Sequence, residues 1–204
     1  MNTEKLIATS KKLYTFFKIL RKIVVIGMSV ALLIMALITV IHAIDPSVLI
    51  GEDFASIDIG PLSIQLTPEY APSTGNLLTY SWLLMLLGAV CAGLIYYALG
   101  IVLQILAPMT QGQPFAPSVG EDIRKMSYIC LAMGIVLNIA HILDTANAMH
   151  VYRISELIDH TQIVSITANY QVDLTFLVLF FVLLLMSHIF HYGAQLQQLS
   201  DETL

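Results

Sequence analysis

Residues 77–106 read LLTYSWLLMLLGAVCAGLIYYALGIVLQIL, an apolar run without an acidic or basic side chain. It lies inside a longer uncharged reach, because no Asp, Glu, Lys or Arg occurs between Glu69 and Glu121. A helix rises about 1.5 Å per residue, so about 20 residues cross the hydrocarbon layer of a bilayer. The run exceeds that length, which predicts a spanning helix that tilts or protrudes. Three further segments have the same character: Ile23–Ile44, Met126–Ala146 and Leu174–Phe190, the last within a second uncharged reach from Asp173 to Asp201. Composition agrees. Of the 204 residues, 57% are hydrophobic and 11% charged. Soluble domains carry about 25% charged residues, so there is too little charge here to clothe a soluble surface.

The segment Ile23–Ile44 follows a basic stretch, as a secretory signal does. It is longer than the roughly 7–15 residues of a signal core, and Ile41-His42-Ala43 is a poor cleavage site, so it reads as a retained anchor. Basic residues set the orientation. Lys5, Lys11, Lys12, Lys18, Arg21 and Lys22 precede the first span, Arg124 and Lys125 open the third, and Arg153 alone falls on the other side. By the positive-inside rule both termini and the 107–125 loop are cytoplasmic, in a plasma (inner) membrane protein with two outer loops, 45–76 and 147–173.

The first outer loop holds Asp45, Glu52, Asp53, Asp58 and Glu69 and no basic residue. Between Ile57 and Leu66 apolar and polar residues alternate around Gly60-Pro61, a strand–turn–strand signal, and 163–172 is rich in β-branched residues. The expected fold class is therefore an all-α membrane protein: a single domain of four transmembrane helices in a bundle, with a small strand-containing extracytoplasmic cap. An isolated hairpin is marginal in water, so such a cap needs the helix ends beneath it.

On the basic side, Lys5 to Lys22 interleaves Leu13, Phe16, Phe17 and Leu20 with lysines, as an interfacial helix does. It serves either as a flanking anchor or as a docking site for a partner or anionic lipid. Ser118-Val-Gly-Glu121 matches a capping box that would start the third helix. Small residues at four-residue spacing, Gly27/Ala31, Gly88/Ala92 and Ala89/Gly93, are expected to be helix contacts, within one chain or between copies in a homo-oligomer. The third span offers Ala132, Gly134 and Ala140. From Leu174 to Met186 the fourth lacks Gly, Ala and Ser, and is expected to pack through large side chains.

Polar groups inside a span are costly and so are functional candidates. Asn138, His141 and Asp144 recur at three-residue steps on one helix face, at a depth similar to His42. Together they form either an interhelical hydrogen-bond network or, as imidazole and carboxylate allow, a proton relay or metal site. Haem is not expected: His141 and His188 differ in depth by roughly 10 Å at about 1.5 Å per residue, too far to ligate one iron. Cys91 and Cys130 lie in apolar spans and make no Cys-x-x-Cys pair. Nucleotide-binding glycine loops, His-Glu-x-x-His and Gly-x-Ser-x-Gly do not occur, so no enzyme, metal or cofactor is expected. Without a soluble domain the chain is not expected to bind nucleic acid directly.

Two short patterns carry a resemblance. Gly112-Gln113-Pro114-Phe115, followed by Ile123-Arg124-Lys125, resembles the cytoplasmic loop of a family of small four-span bacterial membrane proteins, the domain-of-unknown-function family 2975. Phe190-x-x-Gly193-x-x-Leu196-Gln197, ending in Asp201-Glu202-Thr203-Leu204, resembles that family's C-terminal signature. Gln197-Gln198 stands where acidic residues are commoner in the family. Its members are often encoded beside a small helix-turn-helix regulator, so the resemblance implies a membrane-bound partner for such a protein. The partner-binding residues it implies are Gly112, Pro114, Phe115, Gly193, Leu196, Asp201 and Glu202. The expected function is thus a membrane-bound partner or sequestering regulator of a cytosolic helix-turn-helix transcription factor. The alternative is a small transporter or channel component using Asn138, His141 and Asp144.

Overall fold

Uninterrupted apolar sequence with no internal proline until Pro108 lets the second span persist as one helix, and the computed structural model shows such helices throughout. It describes residues 3–45, 56–59, 62–65, 73–113, 115–151 and 172–202. The order is α1 (Thr3–Ile44), β1 (Ser56–Ile59), β2 (Leu62–Gln65), α2 (Thr74–Met109), α3 (Pro117–Val151) and α4 (Thr175–Glu202). Each helix contains a stretch long and apolar enough to cross a membrane. Each also outruns the apolar segment legible in the sequence. The interfacial helix expected at Lys5–Lys22 is not separate but is the first half of α1.

β1 and β2 pair antiparallel, with Ser56 opposite Gln65 and Ile59 opposite Leu62. The sheet has these two strands among the described residues. Residues 163–171, where a third strand was expected, lie outside the described residues. The expected cap is therefore unsupported beyond this hairpin.

The second helix stops at Gly112, within the Gln111-Gly-Gln-Pro-Phe115 stretch that breaks it. The Gly112 φ of 80° lies in the left-handed region that glycine adopts at little cost. The Gly112 N–H donates to the Met109 carbonyl at 3.2 Å and the Gln113 N–H to the Pro108 carbonyl at 3.0 Å. That pair of bonds is a Schellman motif, which satisfies carbonyls left over at a helix end. The capping box expected at Ser118 is not formed. α3 begins one residue earlier, with Pro117 in its first turn, where a missing N–H costs nothing. Ser118 is then already helical and exposed. At α4 the Asp173 carboxylate accepts the Thr175 N–H at 2.8 Å. The Thr175 hydroxyl, and then its N–H, hold the Asp173 carboxyl below the usual carboxylate range.

The chain divides into two compact units. The first comprises Met1–Met28, Ala89–Leu137 and Asp173–Leu204, and takes in parts of all four helices. Its core is Leu99, Ile101, Leu106, Val119, Ile123 and Ile129, joined by the buried polar residues Asp122, Ser127 and Ser187. Here α1 runs antiparallel to α2: Ile7 lies against Gly112, and the Arg21 guanidinium lies against Gly100. α3 and α4 are also antiparallel, with Tyr128 and Phe180 rings 5.8 Å apart. The second unit comprises Ser29–Gly88 and Asn138–Val172. Trp82 Nε1 donates to Thr39 Oγ1 at 3.0 Å, and that hydroxyl donates to the Met35 carbonyl at 2.8 Å. Large apolar side chains remain exposed along all four helices, among them Leu33, Leu86, Leu137 and Phe181. A lipid-facing surface needs this, and a water-facing one does not tolerate it.

Glycine contacts also depart from expectation. A β-carbon at Gly27, Gly88 or Gly93 would meet nothing within 4 Å among the described residues, so the glycines of the four-residue repeats of α1 and α2 are not points of close helix approach there. Close approach occurs instead between α3 and α4. A β-carbon on Gly120 would come within 3.2 Å of the His191 nitrogen and 3.3 Å of the Ser187 carbonyl oxygen. One on Gly134 would overlap the Cβ and Cγ of Phe176. The large side chains of α4 do pack, but the groove receiving them is a glycine on α3.

Candidate functional site

The two patterns that carry the family resemblance are far apart in sequence and adjacent in the first unit. The Schellman turn at Gly112 redirects the chain so that Phe115 stands beside α4. There the Phe115 ring lies 5.7 Å from the Phe190 ring, tilted by 37°. Gly193, one turn further along α4, makes room for it: a β-carbon there would lie 3.0 Å from Phe115 Cδ1. Ring pairs at this separation gain about 0.5–1.5 kcal/mol beyond simple burial. Phe115 is nevertheless 43% exposed, so the contact covers one side of the ring and leaves the other open. It is a tertiary contact between the α2–α3 turn and α4.

Around this contact runs a shallow groove of about 340 Å³, whose lining includes Gln113, Ala116, Ala194, Gln197, Gln198 and Glu202. Leu196 and Leu199 are half exposed nearby on α4, and Tyr192 is more open still. Gln198 Nε2 donates to Glu202 Oε1 at 3.1 Å along the helix. Of the residues marked by the resemblance, Gly112, Phe115 and Gly193 are thus joined through one turn and one ring. Leu196 and Glu202 continue along the same helix. Pro114 and the Asp201 side chain lie outside the described residues.

Two features support this face from beneath, and sequence reasoning missed both. Ser187 Oγ donates to the Gly120 carbonyl at 2.7 Å across the α3–α4 contact, fully buried. Lys125 Nζ pairs with Asp122 Oδ1 at 2.9 Å, with the Asp122 side chain 8% exposed. The signal for the first was a lone serine at the end of an apolar run, opposite a glycine in the first turns of α3. Ser187 belongs to no four-residue repeat of small residues, and Ala116, four residues before Gly120, precedes the start of α3.

In the second unit the polar residues expected to cluster are placed differently from one another. The Asp144 carboxylate accepts a hydrogen bond from the Tyr80 hydroxyl of α2. Asn138 is half buried, whereas His141 is exposed. The His42 Nδ1 is buried with no hydrogen-bond partner among the described residues. No group of three or more His, Cys, Asp or Glu suited to a metal ion occurs among the described residues.

Four long apolar helices carrying lipid-exposed side chains define a multi-pass membrane protein, with its only described inter-motif contact at the α2–α3 turn and the end of α4. The chain belongs to the family described as protein of unknown function DUF2975, whose model matches residues 67–204 and so takes in α2, α3, α4 and both motifs. No curated protein and no solved structure matches the chain.

Proposed function

We propose that this protein is a non-enzymatic plasma membrane regulator that holds a cytosolic helix-turn-helix transcription factor through the α2–α3 turn and the end of α4. In this reading both termini and the 107–125 turn are cytoplasmic, and the β1–β2 hairpin lies on the opposite side. The observation that carries it is the Phe115–Phe190 contact over Gly193, which joins the two motifs into one face. Half-open aromatic and leucine side chains beside polar glutamines suit a protein partner, since aromatic anchors dominate binding energy at interfaces. The groove lined by Gln113, Phe115, Gln197 and Gln198 is where such a partner would seat.

The test is site-specific photocrosslinking in native membranes from Leu196 and Gln113 of the full chain. A captured cytosolic protein with a helix-turn-helix domain is expected from both positions. Phe115→Ala should lower its yield at least about fivefold, the size of a lost interface anchor. If neither position captures a cytosolic protein, the regulator function is wrong.

A second function, a small transporter or channel component, rests on the Tyr80–Asp144 hydrogen bond and on His42 Nδ1, buried without a partner among the described residues, polar groups within apolar helices. Reconstituted vesicles would then show an ion or proton flux that Asp144→Asn abolishes. Equal flux from both forms removes Asp144 from any such path.

A further inference from the structure

Away from the Phe115 face, the first unit contains a second polar feature. A cavity of about 420 Å³ lies among α1, α2 and α3, and its lining includes Tyr14, Arg21, Tyr97, Gly100, Gln104 and Lys125. Arg21 Cζ sits 4.0 Å from the centroid of the Tyr96 ring. The absence of a side chain at Gly100 admits the guanidinium, since a β-carbon there would already be 3.5 Å from Cζ. Arg21 Nε is buried and has no hydrogen-bond partner among the described residues.

A guanidinium keeps its charge in any protein and has five donors and no acceptor. Stacking on a ring uses its flat face and leaves the edge donors available, and a buried donor left unmatched is costly. No carboxylate among the described residues pairs with it. The buried carboxylate of the first unit, Asp122, is engaged by Lys125, which lines the cavity. Lys125 Nζ has three donors, of which that ion pair takes one. Lys11 and Lys18 share the α1 face of Tyr14 and Arg21 by their three- and four-residue spacing, and both are exposed. The cavity is thus positive, bordered by hydroxyl and amide groups, and flanked by apolar side chains open to lipid, among them Ile19 and Ile23.

We propose that this cavity is a binding site for a phosphate group, supplied by the headgroup of an anionic phospholipid. Arg21 meets two phosphate oxygens with its paired donors, the bidentate geometry guanidinium favours. Lys125 adds a point charge, and Gln104, Tyr14 and Tyr97 offer polar contacts to the glycerol portion. Basic recesses between membrane helices are suited to lipid headgroups because the acyl chains lie along the adjoining helix surface. The bound lipid would tie α1 to α2 at the same place as the Arg21–Tyr96 stack.

The test uses the purified full chain in a neutral detergent. Retained lipid is read by native mass spectrometry after incubation with phosphatidylglycerol, with phosphatidylcholine, or with inorganic phosphate as the headgroup-free arm. Phosphatidylglycerol is expected to bind in preference to phosphatidylcholine, and Arg21→Gln should weaken it about tenfold or more. Lys22→Gln, which removes an exposed charge outside the cavity, should weaken it less than about fivefold. Gly100→Leu fills the recess without removing charge and should match Arg21→Gln, which keeps the test alive if Arg21→Gln fails to fold. Inorganic phosphate that displaces the lipid at comparable concentration would confirm the site and overturn the lipid as its source. Equal effects of Arg21→Gln and Lys22→Gln, or no preference between the two lipids, would show diffuse surface attraction and overturn the site.

Discussion

Gly134→Ala is expected to destabilise the protein by about 1–3 kcal/mol, although alanine is the better helix former. In an open helix position the substitution would gain about 1 kcal/mol from propensity. Here the added methyl would overlap the Cβ and Cγ of Phe176. Those atoms are at the root of the side chain; turning χ1 moves Cγ but not Cβ, so the first turn of α4 must move. Overpacking therefore outweighs propensity. The measurement is denaturation of the full chain in mixed detergent micelles, followed by helical content. A double-mutant cycle makes the cause specific, because Phe176→Ala removes the obstructing atoms. The pair should then be less destabilised than the sum of the single changes by about 0.5–3 kcal/mol. A Gly134→Ala protein as stable as the parent would mean that Phe176 does not pack on α3.

Gly120→Leu should cost about 3 kcal/mol or more, because its neighbours are backbone and not side chain. The His191 nitrogen and Ser187 carbonyl oxygen would stand 3.2 Å and 3.3 Å from the new β-carbon. Neither can rotate away, so α3 and α4 must separate. Separation also breaks the 2.7 Å bond from Ser187 Oγ to the Gly120 carbonyl. That bond alone is a minor part: interhelical hydrogen bonds in membranes average about 0.6 kcal/mol, so Ser187→Ala should be mild. The comparison of the two variants in the same denaturation assay divides packing from hydrogen bonding. A Ser187→Ala loss as large as that of Gly120→Leu would reverse this assignment. Gly120→Leu should also disperse the Phe115–Phe190 face, because Phe115 lies just before α3 and Phe190 on α4.

The spans were legible in the sequence because hydrophobicity is a local property, and the charge-free reaches around 77–106 and 174–190 state it directly. Helix ends were less legible. A capping box at Ser118 is a good local pattern, but Pro117 starts the helix one residue sooner, and Gly112 ends α2 before Pro114 is reached. The contacts were least legible of all. Gly27, Gly88 and Gly93 have the spacing of a packing motif, yet a β-carbon on them would meet nothing among the described residues, while Gly193 lacks that spacing and makes a close approach to Phe115. Spacing tells which residues share a face, but the partner helix decides whether the face is used. The candidate site was marked as two separate motifs through the family resemblance; that they meet through Phe115 and Gly193 is a tertiary fact no local pattern contains.

The seam between α3 and α4 also bears on how such a chain can drift over generations. Gly134 is bare because Phe176 fills its space, Gly120 because the backbone at Ser187 does, and Gly193 because Phe115 does. Neither member of such a couple is free to grow alone. A lineage that enlarges Gly134 or Gly193 must shrink Phe176 or Phe115 in the same stretch of descent, so those two pairs should be inherited as couples; Gly120 faces backbone, which no side-chain change can shrink, and should stay glycine alone.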